Sequence, residues 1–158
     1  MEELAFESVA KAVLFTHLVS AVCLVAGCIH LLSRLTKAIR NGTYIAQTRL
    51  HATIVTVAYA TSCLLGGIMY PAFRVRVRQD YLDTAFPWAT GLFEIKEHLA
   101  TLGVVPVASI FLLSRFLNVK DPAHRAYLPL YVGLVGFVLS EVVFNAWCGW
   151  YLTSLRSV

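Results

Sequence analysis

Four apolar runs, each long enough to cross a bilayer, occupy most of this chain of 158 residues. They fall at about 12–33, 50–70, 91–114 and 127–151, and about 20 residues of helix cover the ~30 Å hydrocarbon core. Lipid leaves a spanning chain only helices or closed barrels, and runs this long are helical. Hydrophobic residues make up 58% of the sequence against 14% charged, more apolar surface than one soluble core of this size can hide. The expected fold is an all-α integral membrane protein: a four-transmembrane-helix bundle, one domain over residues 1–158, with both termini on the same side. That end is side A here, and the opposite end side B.

The prolines punctuate the runs. Pro71 is expected to end the second and Pro122 to precede the fourth. Pro106 lies inside the third and predicts a kink that frees a backbone carbonyl. Asn41-Gly42 predicts a turn. Asn41-Gly42-Thr43 also fits a glycosylation sequon, but a short juxtamembrane loop is a poor acceptor. The connection at 71–90 is the longest, and it is predicted as a surface loop covering the side A end. Met1 to Lys11 carries Glu2, Glu3 and Glu7 and lacks the basic start of a secretory signal, so the first run is expected to be retained.

Lys and Arg flank the runs seven times on side B and five times on side A. The positive-inside rule then makes side B cytoplasmic and the termini non-cytoplasmic, with a bacterial inner membrane as the expected location. Trp88, Trp147, Trp150 and Tyr151 gather toward side A, as an interfacial aromatic belt does. Membrane lipid is the expected partner of the basic flanks. A net charge of +4 without a dense basic face excludes nucleic acid. Cys23, Cys28, Cys63 and Cys148 all lie in apolar runs with no C-x-x-C pair, and read as packing residues. No Gly-rich phosphate loop or nucleophile elbow is present.

The informative residues are the ionisable ones inside the runs, because each needs a partner, a wet cavity or a ligand. His17 and His98 are predicted at similar depth below side A, roughly 8 to 11 Å in at 1.5 Å per residue. Glu94 and His98 share a helix face, as do Glu141 and Asn145. These five are predicted to surround one cavity. His30 and His51 form a second candidate site near side B. His17 and His30 are thirteen apart, about 220° around a helix, which argues against two cofactors stacked along one face.

Three chemistries fit. The leading expectation is a redox protein analogous to four-helix b-type cytochromes, passing electrons between a quinol and another acceptor. His17 and His98 would ligate a haem b iron, Gly66-Gly67 would admit the ring, and Arg74, Arg76 and Arg78 would hold its propionates. Glu94 and Glu141 would handle the coupled protons. The second is a transition-metal enzyme without haem, built on His17, Glu94 and His98 with Glu97 or Glu141. The third is a proton or ion transporter subunit with Glu141 as the carrier, hydrogen-bonded by Tyr59, Ser62 or Asn145. A structural subunit of a larger membrane complex, or a homo-oligomer, is the remaining class. Lys96 is expected to snorkel toward the surface.

Overall fold

The computed structural model describes residues 2–41, 48–117 and 121–155, with side chains from residue 9 onward and not at Asn41. Gly42 of the expected turn, together with Lys120 and Arg156, lies outside the described residues. The described residues are almost entirely helical. α1 runs Glu2–Asn41 and α2 runs Thr48–Phe73. A π-helical segment, Arg74–Leu82, leads into the short α3, Asp83–Ala85. The third run is two helices, α4 at Pro87–Leu102 and α5 at Val104–Phe116. The one-turn α6, Pro122–Arg125, precedes α7, Leu128–Leu155. Four helical passes are long and apolar enough to cross a membrane.

Side-chain contacts set the topology. His17 meets Ser62, Gly27 meets Val55, and His30 meets His51, so α1 and α2 run in opposite directions. Tyr59 reaches Ala100 and Arg49 reaches Ser114, and Trp88 packs on Tyr151, so each later pass reverses again. The first turns of α1 and the last turns of α7 therefore lie at one end of an up-and-down bundle. α1 packs on α2 and α7, and α5 packs on α2 and α7.

Each helix is apolar on both faces, which a soluble bundle is not. Outward residues include Val105, 71% exposed, and Leu64, 69% exposed. Inward residues recur every three or four positions. On α1 they are Ser20, Leu24, Cys28, Leu31 and Leu35, and on α7 they are Tyr131, Val135, Val138, Glu141 and Cys148. Of these, Leu24, Cys28, Leu31, Leu35, Tyr131, Val135 and Val138 form one apolar core with Val55, Val107 and Ile110 that fills the side B half. A second cluster of Val77, Leu82, Ala89, Phe93 and Leu152 closes the side A end.

Two sequence expectations change. Pro71 does not end the second run: α2 continues through it to Phe73. The segment 71–90 is mostly helical rather than a loop. A proline costs its helix one hydrogen bond and a steric clash, and the wider π turns begin three residues later, where such irregularities are absorbed. Burial of Val77 and Leu82 against Ala89, Phe93 and Leu152 outweighs the poor intrinsic geometry. The chain breaks at Phe86 (φ −142°, ψ 67°), and Pro87 restarts it at a first helical position. The aromatic grouping holds, with Tyr151 5.8 Å from Trp88 and 5.6 Å from Trp147 between ring centroids.

Some side B basic residues do more than flank. Arg49 donates through Nε to the Ser114 carbonyl at 3.2 Å and through Nη2 to the Arg115 carbonyl at 3.3 Å. It caps the last turn of α5, where carbonyls lack helical partners and the dipole favours a cation. Arg115 in turn donates to Thr53 Oγ1 at 2.7 Å. Arg49→Ala is expected to cost about 1 kcal/mol, read as a lower unfolding midpoint in detergent. An unchanged midpoint would show that water or lipid caps α5 equally well.

Candidate functional site

The inward face changes character partway along the bundle. Toward side B it is apolar. Toward side A, between the two apolar clusters, it carries His17 and Ser20 from α1, Tyr59 and Ser62 from α2, Lys96 from α4, and Glu141, Asn145 and Cys148 from α7. All four passes contribute to this polar layer.

Its buried carboxyl is Glu141, 6% exposed. Asn145, one turn on, donates through Nδ2 to Oε1 at 2.6 Å and to the Glu141 carbonyl at 3.0 Å. Oε2 has no hydrogen-bond partner among the described residues. It faces the point where the third pass breaks. Gly103 separates α4 from α5, and Pro106 cannot donate to the Leu102 carbonyl four residues before it. A methyl on Gly103 would overlap the Tyr59 hydroxyl and lie 3.1 Å from Glu141 Oε2. Glycine is thus required here by close approach rather than by a special φ. The Tyr59 hydroxyl donates to the Ala100 carbonyl and hydrogen-bonds with the Cys63 thiol. Of the three partners expected for Glu141, Asn145 bonds it and Tyr59 crowds the same spot. Ser62 serves His17 instead.

No protein-family model, curated protein or solved structure matches this chain. The site must therefore be read from its own geometry.

His17 is half-buried, and its Nδ1 donates to the Ser62 carbonyl at 3.1 Å. Its Cε1 lies 3.7 Å from where a methyl on Gly66 would stand. The backbone bond orients the ring and leaves Nε2 available. His98 is elsewhere. It shares the outward stripe of α4 with Ile95 and Leu102, is exposed, and gives its Nδ1–H to the Glu94 carbonyl of its own helix at 2.6 Å. The residue that α4 sends inward is Lys96, on the stripe Phe93, Lys96, Ala100, Gly103, Val107. Its ammonium lies 5.2 Å from the Phe93 ring centroid and close enough to His17 and Cys148 for its charge to act on them. Phe93 is one turn nearer side A, so the long stem does lean toward the surface, as expected, but along the inside of the bundle.

The other side A candidates are structural neighbours of the end cap. Arg78 Nη2 pairs with Glu94 Oε1 at 2.6 Å, and its Nε lies 3.7 Å from Asp83. That ties the π segment to α4. Arg74 and Arg76 are exposed on the same segment, and Glu97 is half-buried. His30 and His51 do meet, with ring centroids 5.7 Å apart. Among the described residues no three His, Cys, Asp or Glu side chains come together as a metal site would need. All four cysteines are free, Cys28 and Cys148 buried, Cys23 and Cys63 exposed. An open groove of about 380 Å³ runs along the outside of α1 and α2, lined by Cys23, Val57 and Thr61 among others.

Lys96, Gly103 and Cys63 were absent from the sequence-derived site. The signal for Lys96 was its place in the three-four repeat Phe93, Lys96, Ala100, Gly103. For Gly103 it was a glycine three residues before Pro106 inside an apolar run.

Proposed function

We propose that this chain is a membrane protein that takes up and releases protons at Glu141, the transporter-type reading of its sequence. One observation carries it: a buried carboxyl whose second oxygen lacks a partner, set against the break in an otherwise continuous membrane-length pass. Ionisable groups inside membrane helices are costly and mark ion and proton pathways, and broken helices recur where such groups are served. The polar layer leads from Glu141 toward side A, past Tyr59 to Ser62, His17 and Lys96. The side B half is packed with apolar side chains, so exchange is with side A in this conformation. A bacterial inner membrane with side B cytoplasmic is the location we propose with it. In liposomes, Glu141→Gln is expected to reduce pH-driven proton flux at least about tenfold, a barrier change of about 1.4 kcal/mol. Equal flux from wild type and variant would sink the reading.

A membrane redox protein is the second reading, favoured by His17. Its Nδ1–H is held by a backbone carbonyl and its Nε2 is left for a metal. A haem there would supply one-electron chemistry, and His17 would hold it through Nε2. His98 faces outward, so the bis-histidine pair is not preformed, and Arg78 is engaged by Glu94. A Soret band that shifts with dithionite in the purified protein is the expected sign, and its absence removes haem.

A further inference from the structure

Lys96 poses a question that Glu141 does not answer. An ammonium on the inward face of an apolar bundle needs an anion, because an unpaired charge there is costly. Among the described residues no carboxylate lies within ion-pair distance of it. Glu97, the next residue of its helix, makes no ion pair with it, and the ammonium stands 5.2 Å from the Phe93 ring centroid.

There is also room beside it. α5 packs on α2, but past the break at Gly103 the backbones of α2 and α4 make little or no approach, and α4 lies mainly on α7. Side chains alone bridge the gap. Toward side A, Phe93 stacks on Phe73 with centroids 4.2 Å apart and on Tyr70 at 6.3 Å. Toward the middle, Tyr59 reaches Ala100. Between these bridges α2 presents Gly66 and Gly67. A methyl on Gly67 would meet no atom within 4 Å, and one on Gly66 would meet only His17. Gly67 and Cys63 are exposed on the outward rim.

We propose that this lateral cleft binds the carboxylate of a long-chain acid, with Lys96 as its counter-ion, His17 Nε2 beside the headgroup, and the chain leaving outward past Gly67. One ammonium and one imidazole match a single negative charge. A phosphate recruits arginine forks, and Arg78 is already held by Glu94 and Asp83. The site goes beyond proton exchange at Glu141 and does not depend on it.

The test uses the full chain in nanodiscs with bound cis-parinaric acid, displaced by palmitate, hexadecanol or lysophosphatidic acid. Wild type is expected to prefer palmitate over the alcohol about tenfold. Lys96→Gln should abolish that preference and Lys96→Arg keep it. Gly67→Leu, which leaves Lys96 intact, should weaken displacement by all three and decides the matter if Lys96→Gln fails to fold. Glu141→Gln should bind palmitate as wild type does while losing flux, so the two proposals fail separately. Equal displacement by acid and alcohol, or an unchanged preference in Lys96→Gln, would overturn the site. So would stronger displacement by lysophosphatidic acid than by palmitate, which assigns the headgroup to phosphate.

Discussion

Gly103→Val is expected to destabilise the bundle by about 1–3 kcal/mol through overpacking, and by about 1 kcal/mol more through loss of the Tyr59–Ala100 hydrogen bond. The cause is local. Any Cβ at this position falls on the Tyr59 hydroxyl and 2.9 Å from Tyr59 Cζ, with Glu141 Oε2 on its other side. The stiff ring must rotate away or α4 must move from α2. Tyr59→Leu in the same chain should recover part of the loss, because it removes the atoms in conflict. Gly133→Val and Gly136→Val are suitable controls, since a Cβ at either meets nothing within 4 Å. Unfolding midpoints in detergent are the measurement. If Gly103→Val unfolds with the controls, the close approach at the helix break is not a constraint.

The Glu141–Asn145 pair leads to a second large effect with a distinctive pattern. Asn145→Leu removes the donor to Oε1 and leaves both carboxyl oxygens buried without partners. The expected cost is about 1–3 kcal/mol. Adding Glu141→Leu should return stability to near wild type or above it, because replacing both partners with apolar groups removes the desolvation penalty. Non-additivity of this kind is what a double-mutant cycle reads. Purely additive losses would mean that the two side chains do not depend on each other. The stabilised double variant is also expected to lose proton flux, which separates the role of Glu141 in exchange from any role in folding.

The polar layer explains why the side A candidates were only partly legible. Depth below side A selects His17 and His98, and shared helix faces add Glu94 beside His98 and pair Glu141 with Asn145. His17, Glu141 and Asn145 lie inside the bundle, and Glu94 and His98 do share a face. That face is not the inward one. Residues two apart on a helix point about 200° apart, so a choice between Lys96 and His98 is a choice of helix phase. Charge made Lys96 look like a snorkelling surface residue, and an imidazole made His98 look like a ligand. The burial of Phe93, Gly103 and Val107 decides the phase in favour of Lys96. The connection at 71–90 shows the same limit from another direction. Pro71 and three arginines read as a breaker and a polar loop, yet Val77 and Leu82 bury themselves against α4 and α7 and keep the segment helical.

Sequence by itself determined four membrane-length helical passes, their order and their reversals, because hydrocarbon thickness and obligatory backbone hydrogen bonding leave an apolar chain of this kind no other form. Tertiary structure alone decided which way each helix is turned about its own axis, where the third pass breaks, and which charges end up inside. Apolar residues lie on every face of these helices, so hydrophobicity barely orients them. The rotation is settled by how Gly27, Gly103 and the Phe93 cluster fit their neighbours, and that fit exists only once the passes are packed together.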